Sequence, residues 1–241
     1  MDEVEKIILQ AGKRMQEMLR SVWHYNSVFV KSKEEEKLLE KIIFAMSVMD
    51  RKFFVPDAEL AYNDTALPIG SGQTISQPST VARMLLLAEL AEGDDVLEVG
   101  TGSGWNSCLI SFLVYPGNVM SMERLVRLKE KAEKNLSALR NYLKQKRPEI
   151  YQKLEKINFL AENVFSKGKV WKKKYDKIII TAGISSKNVE RKVEELAKNL
   201  LKKKGILVCP YVSGPLLLYK KDGKLRKTST KESYVFVPLL E

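Results

Sequence analysis

The stretch Val96-Leu97-Glu98-Val99-Gly100-Thr101-Gly102-Ser103-Gly104 constrains this chain more than any other. An apolar run closed by three alternating glycines is a buried strand entering a loop. There the backbone must turn tightly and let a ligand approach nearer than any Cβ would permit. A helix is expected from Trp105 to Val114, and its N-terminal amides and positive dipole end would face the loop. The pattern is not a dinucleotide fingerprint, because the third glycine of Gly-x-Gly-x-x-Gly would fall on Trp105. It is not a phosphate loop either, since no Gly-Lys-Ser/Thr follows.

What remains, Glu-x-Gly-x-Gly-x-Gly, resembles motif I of the S-adenosylmethionine-dependent methyltransferases. The resemblance implies S-adenosylmethionine as cofactor, with the glycines facing its methionine part. It assigns Glu98, Gly100, Thr101, Gly102, Ser103 and Gly104 to the cofactor site.

With 241 residues there is room for one large α/β domain and an appendage, but not for two full enzymatic domains. Hydrophobic residues at 44% and charged ones at 29% fit a packed globular chain and argue against disorder. The two cysteines, Cys108 and Cys209, lie in apolar stretches without CxxC spacing, and His24 is the single histidine. This favours a reducing cytoplasm and no metal site. The acidic start Met1-Asp2-Glu3-Val4-Glu5 lacks the pattern of a signal peptide, and no run of 18 apolar residues occurs, so no membrane association is expected. Residues 124–177 carry 17 Lys and Arg against 6 Asp and Glu, equal to the net +11 of the whole chain. A basic block confined to one stretch reads first as a solvated helical face, with nucleic acid the less favoured partner.

In chain order, the spacing of apolar residues predicts amphipathic helices over 1–21 and 34–49, with His24 between them as a surface or structural residue. Residues 1–50 therefore read as an N-terminal helical extension to a domain spanning 51–241. From Asp50 to Gly70 aromatics, prolines and turn residues follow no period. Ser71 to Pro78 reads as a small polar loop, within a substrate loop at 70–78, and a helix is expected over 80–91. Hydroxyl and amide side chains in such a glycine-flanked loop suit a peptide or carboxylate held by hydrogen bonds.

Five pieces now stand in order: Phe53-Phe54-Val55-Pro56, Leu60-Ala61-Tyr62, Leu67-Pro68-Ile69-Gly70, Gly72-Gln73-Thr74-Ile75-Ser76-Gln77-Pro78 and the glycine loop. In sequence and spacing they resemble the protein-L-isoaspartate O-methyltransferase family, well over about 42–125 and more loosely beyond. The Gln-Thr-Ile-Ser-x-Pro loop is the specific piece. The resemblance implies that it lies over the active site, with Ser76 and Thr74 catalytic and Gln73, Ile75 and Gln77 on the substrate side.

Asn118 to Glu123 reads as the next strand, ending in an acid placed to accept ribose hydroxyls. Arg124 to Lys156 is a basic helical segment interrupted near Arg147-Pro148, followed by a strand at Ile157–Ala161. Glu162-Asn163-Val164 stands where the family has Gly-Asp-Gly. Asn163 thus takes the place of an acid near the adenine amino group, and its side-chain carbonyl can still accept from an amine. Tyr175 to Gly183 fits a central strand, and Thr181-Ala182 matches the family, although the proline that often follows is absent before Lys187. A helix over 189–201 capped by Gly205, a strand at 206–210, and an antiparallel ending through Tyr234–Leu239 complete the chain.

The expected fold is α/β: a Rossmann-like, doubly wound, mostly parallel sheet in a three-layer αβα arrangement with antiparallel C-terminal closure and added N-terminal helices. The resemblance implies methyl transfer from S-adenosylmethionine to the carboxylate of L-isoaspartyl or D-aspartyl residues in damaged proteins; a cytoplasmic monomer or weak homo-oligomer is expected. Two alternatives are a methyltransferase of the same build acting on RNA, suggested by the basic segment, and a non-catalytic binding paralogue, suggested by the altered loop at 162–164.

Overall fold

Repeated strand–helix alternation after residue 95 builds a seven-stranded sheet. The computed structural model describes residues 3–240; Met1 and Asp2, where the first expected helix starts, lie outside them. Three helices come first: α1 (Glu3–Leu9), α2 (Lys13–Ser27) and α3 (Lys33–Val48). The single helix expected over 1–21 is thus two, because Gly12 interrupts it with an extended φ of −64° and ψ of 150°. His24 lies on the exposed side of α2 rather than between helices. Ser32 caps α3 by accepting from the Glu35 amide at 3.2 Å, beside an acidic first turn that suits the dipole.

Single 3-10 turns at Arg51–Phe54 and Ala58–Leu60 lead to a hairpin of β1 (Leu67–Gly70) and β2 (Gln73–Ile75). The polar loop expected at 71–78 is therefore in part an antiparallel strand pair, turned at Ser71 and Gly72 with φ of 54° and 68°. α4 (Pro78–Leu87) begins earlier than expected, because Pro78 occupies the first turn, where a missing N–H costs nothing.

The remaining elements are β3 (Asp95–Val99), α5 (Trp105–Val114), β4 (Asn118–Glu123), α6 (Val126–Lys146), α7 (Pro148–Tyr151), β5 (Ile157–Ala161), β6 (Tyr175–Ile180), α8 (Lys187–Leu200), β7 (Leu201–Pro210), β8 (Ser213–Gly214), β9 (Leu216–Asp222), β10 (Lys224–Ser229) and β11 (Tyr234–Val235). The sheet order is β10-β9-β7-β6-β3-β4-β5, parallel from β7 to β5 and antiparallel at β9 and β10. Gly205 does not cap α8. It lies within β7, where a Cβ would press on the Lys202 and Asp176 carbonyls at 2.9 and 3.0 Å. Nor does the segment after Tyr234 join the main sheet, for β11 pairs only with β8.

Successive strand residues feed opposite faces, as the two-residue period of a strand requires. Val96, Ile179, Ile206, Val208 and Leu216 pack with α1 to α6. Leu97, Ile178, Ile180, Leu207, Cys209 and Leu217 pack with α8. Strands buried on both faces explain the nearly continuous apolar runs in the sequence. The N-terminal helices share this core, since Val4, Ile8, Leu19 and Val22 belong to one cluster with Leu85, Leu109 and Ile179. No helix among the described residues is long and apolar enough to cross a membrane.

Candidate active site

At the carboxyl ends of the parallel strands the glycine loop turns outward from β3. Gly100, Gly102 and Gly104 all have positive φ, at 100°, 55° and 87°. At Gly100 the need for glycine is twofold, since a Cβ would also be driven into the Thr181 hydroxyl. At Gly104 a Cβ would meet that of Ala132 at 3.1 Å, so this glycine serves the approach of the loop to α6. Asn135 on α6 supports the same contact, its Nδ2 donating to the Ser103 carbonyl at 2.9 Å. The indole of Trp105 donates to the Met49 carbonyl at 2.7 Å and fixes the start of α5 against the end of α3.

Glu123 ends β4 with both carboxylate oxygens engaged. Oε2 accepts from the Gly102 amide at 2.9 Å and Oε1 from the Leu125 amide at 3.0 Å. The carboxylate thus closes the loop, and each oxygen keeps a lone pair for a further donor. Glu98, by contrast, faces away from the cleft. It is fully buried beneath the loop, accepting from Asn106 Nδ2 at 2.7 Å, from Ser121 Oγ at 2.6 Å and from Ser107 Oγ. Burial pushes its carboxyl up to about 7 against these hydrogen bonds. The Ser121 hydroxyl is in turn 2.6 Å from that of Thr101, so Glu98 reaches the loop through two hydroxyls.

Two cavities open over this loop and a third adjoins them. The first is lined by Gln73, Thr74, Gly100, Gly102, Met122, Glu123, Leu125, Leu128, Asn163, Val164 and Thr181, among others, which brings apolar walls and polar ends together. The second takes in Thr74, Ile75, Ser76, Gly100, Thr101, Gly102, Ser103 and Thr181. The third, of about 360 Å³, is lined by Thr74, Ser76, Gln77, Thr80 and Thr181 together with Tyr25 and the segment Ser233 to Val237. Thr74 and Thr181 border all three. Of the residues singled out in the sequence, Glu98 and Gly104 line none of these cavities. Thr74 on β2 and Ser76 just past its end flank the buried Ile75, and neither hydroxyl is spent on a hydrogen bond among the described residues.

Asn163 also has a local structural task. Its Oδ1 accepts from the Phe165 amide at 2.9 Å, capping a 3-10 turn at Val164–Ser166, and the residue borders the first cavity. The neighbouring Glu162 also lines the cavity, and one of its oxygens is buried without a partner. A Cβ at Gly168 would strike that carboxylate, so Gly168 gives room for the Glu162 side chain.

Arg51 has no sequence signature as a site residue, yet it shapes the segment that leads to Ser76. Fully buried, its guanidinium donates to the carbonyls of Ala61 and Thr65 at 2.9 Å and of Asn63 and Ser76 at 3.1 Å, and it stacks over Trp105 at 5.3 Å. One planar fork thereby holds the aperiodic segment against the end of β2. Burial lowers its pKa to about 10, which leaves it charged at neutral pH. Asp64 adds a second tie, accepting from the Ser79 amide at 2.8 Å, the Ser79 hydroxyl at 2.6 Å and Gln77 Nε2 at 3.2 Å.

The model of the family described as Protein-L-isoaspartate(D-aspartate) O-methyltransferase (PCMT) matches residues 24–241. The protein-L-isoaspartate O-methyltransferase of Ignicoccus hospitalis is 39% identical over 215 residues, covering 84% of this chain and 90% of that one. That of Pyrococcus horikoshii is 34% identical over 245 residues, covering 98% and 96%. Among solved structures, a Plasmodium falciparum chain described as a protein-L-isoaspartate O-methyltransferase in complex with S-adenosyl-L-homocysteine aligns with a TM-score of 0.71. It is 22% identical, covers 93% of this chain and 97% of its own, and supports the fold. With a family model that spans most of its length and relatives this similar along nearly all of it, the chain belongs to the protein-L-isoaspartate(D-aspartate) O-methyltransferase family.

Proposed function

We propose that the chain is a repair enzyme that transfers the methyl group of S-adenosylmethionine to the carboxylate of L-isoaspartyl or D-aspartyl residues in damaged proteins. The observation that carries the assignment is the meeting of three cavities at Thr74 and Thr181. A methyl donor in the first two and a peptide in the third would meet at these two residues.

The first cavity fits the donor. Its apolar residues Met122, Leu125, Leu128 and Val164 suit a purine, while Glu123 and Asn163 at one side and the loop amides at the other suit hydroxyls and an amino-acid end. When bound, S-adenosylmethionine supplies an electrophilic methyl group, which a carboxylate oxygen takes as the carbon–sulfur bond breaks and a neutral thioether leaves. The chain's own part is positional. A substrate carboxylate is already ionised at neutral pH, so no residue need remove a proton. The hydroxyls of Thr74 and Ser76 are unspent and stand at the junction, where they can donate to that carboxylate or its neighbouring backbone and orient one oxygen. Orientation of this kind can supply roughly 7 to 11 kcal/mol of the barrier.

Much of the basic stretch that suggested an RNA substrate is engaged within the chain. Lys131 donates to the Ile69 carbonyl, Lys156 to that of Pro116, and Lys129 and Lys173 pair with Glu133 and Asp95. A cytoplasmic setting suits Cys108 and Cys209, both free and buried.

The test is transfer of labelled methyl to matched isoaspartyl and aspartyl peptides, with base-labile label expected on the former alone. Label on both, or on neither, would overturn the assignment. Ser76→Ala should cut turnover while cofactor affinity holds; unchanged turnover would remove Ser76 from the site.

A further inference from the structure

Within the third cavity the Tyr25 hydroxyl, carried by α2, lies 3.1 Å from the Tyr234 hydroxyl at the start of β11. Two phenols in one hydrogen bond use one O–H as donor and one oxygen as acceptor. The acceptor's own proton is left over, and neither hydroxyl has another partner among the described residues. Burial and the bond to Tyr25 raise the Tyr234 pKa, so the phenol keeps its proton across the neutral range. The pair is held from outside the cavity. Tyr25 packs edge-on to Phe29 at 5.6 Å between centroids, the Arg83 guanidinium stacks on Phe29 at 4.0 Å, and Arg83 approaches Glu232, two residues before Tyr234, at 4.0 Å. α2 is itself fixed on α4, because the buried Asn26 donates to the Ser79 carbonyl at 3.1 Å. Beside the pair Val235 is 84% exposed, an apolar side chain left open on the rim of the cavity.

We infer that the Tyr25–Tyr234 pair is a specificity element of the peptide site, donating its unspent O–H to a main-chain carbonyl next to the residue methylated. The inference rests on the function proposed above. A main-chain carbonyl is the appropriate acceptor because damage arises at Asn and Asp in many sequence settings, and only the backbone is common to them. The N-terminal helices then have a role in substrate grip as well as in the core. One phenol comes from α2 and the other from the C-terminal segment, so the grip closes only when both ends of the chain are docked.

The experiment compares wild type, Tyr25→Phe, Tyr234→Phe and the double variant in methyl transfer to one isoaspartyl hexapeptide, with S-adenosylhomocysteine affinity and melting temperature measured alongside. Loss of one neutral hydrogen bond predicts a KM for peptide raised about 3- to 10-fold. Turnover at saturation, cofactor affinity and melting temperature should stay near wild type. Because the phenols act as a unit, the double variant should be no worse than the worse single one. A KM unmoved in all three variants, effects that multiply, or a fall in turnover or cofactor affinity with KM unchanged would each overturn the inference. Wild-type enzyme inactive on the peptide would instead overturn the proposed function, so the two failures are read from different samples.

Discussion

The Thr181 hydroxyl donates to the Gly100 carbonyl at 2.7 Å, and the same oxygen occupies the space a Cβ at Gly100 would need. The end of β6 therefore clamps the loop that leaves β3, and the clamp stands at the junction of the three cavities. Gly100→Ala must relieve both this overlap and a φ of 100°, the latter alone costing about 1 to 2 kcal/mol. S-adenosylhomocysteine affinity by calorimetry is expected to fall at least ~10-fold, which corresponds to about 1.4 kcal/mol. Full affinity in Gly100→Ala would show that the loop tolerates a different path.

Glu98 makes stability depend on pH. Its folded pKa of about 7 lies above the model-peptide value of 4.5, so the folded chain holds this proton more tightly than the unfolded one. The contribution to stability is therefore complete below about pH 4.5 and is lost as pH rises to about 7. Glu98→Gln keeps an acceptor for Asn106 and presents an amide NH2 to Ser107 and Ser121, whose oxygens can accept once their O–H groups turn away. Relative to wild type it should gain up to about 3 kcal/mol between pH 5 and pH 8 in urea denaturation. A difference that stays flat across that range would mean that Glu98 is ionised throughout.

Arg51 is the strongest candidate for a single-residue effect on stability outside the apolar core. Arg51→Lys keeps the charge but has no planar fork to span the carbonyls of Ala61, Asn63, Thr65 and Ser76. Leaving two of these acceptors unpaired costs about 2 to 4 kcal/mol. The melting temperature should drop, and KM for peptide should rise more than the cofactor Kd, because Ser76 lies at one end of the fork. A melting curve unchanged in Arg51→Lys would contradict this account.

What the sequence made legible follows from range. β4 and β5 and the helix α5 match their expected limits, because apolar runs ending in Glu123, Ala161 and Val114 are local signals. The hairpin Leu67–Ile75 was unreadable as strands, since strands of four and three residues containing a proline and flanked by glycines carry almost no period. Gly205 looked like a helix cap because glycine so often ends a helix, whereas here it relieves crowding against β6. The Arg51 fork and the Tyr25–Tyr234 bond left no trace either. A backbone carbonyl is the same at every residue, and the two tyrosines are 209 positions apart.

Glu123 offers a cleaner separation of roles than its position suggests. Glu123→Gln retains one acceptor, so either the Gly102 or the Leu125 amide loses its carboxylate partner. A charge-assisted hydrogen bond contributes about 1.5 to 3 kcal/mol, so S-adenosylhomocysteine should bind ~10- to 100-fold more weakly. Amide exchange at Gly102 should accelerate in the same variant. Unchanged affinity would remove Glu123 from the cofactor site while leaving its contact with the loop intact.

At Asn163 the local structure and the proposed cofactor contact compete for one side chain. The Phe165 amide takes one lone pair of Oδ1 at 2.9 Å, so an adenine amino group would have to share that oxygen. Asn163→Asp satisfies both demands: a carboxylate caps a helical turn as well as an amide does, and its second oxygen can only accept. S-adenosylhomocysteine affinity is expected to rise about 3- to 10-fold with the melting temperature unchanged. Asn163→Ala loses the cap, at a cost of about 1 kcal/mol, and should bind no more tightly than wild type. Affinity unmoved in both variants would remove Asn163 from the cofactor site.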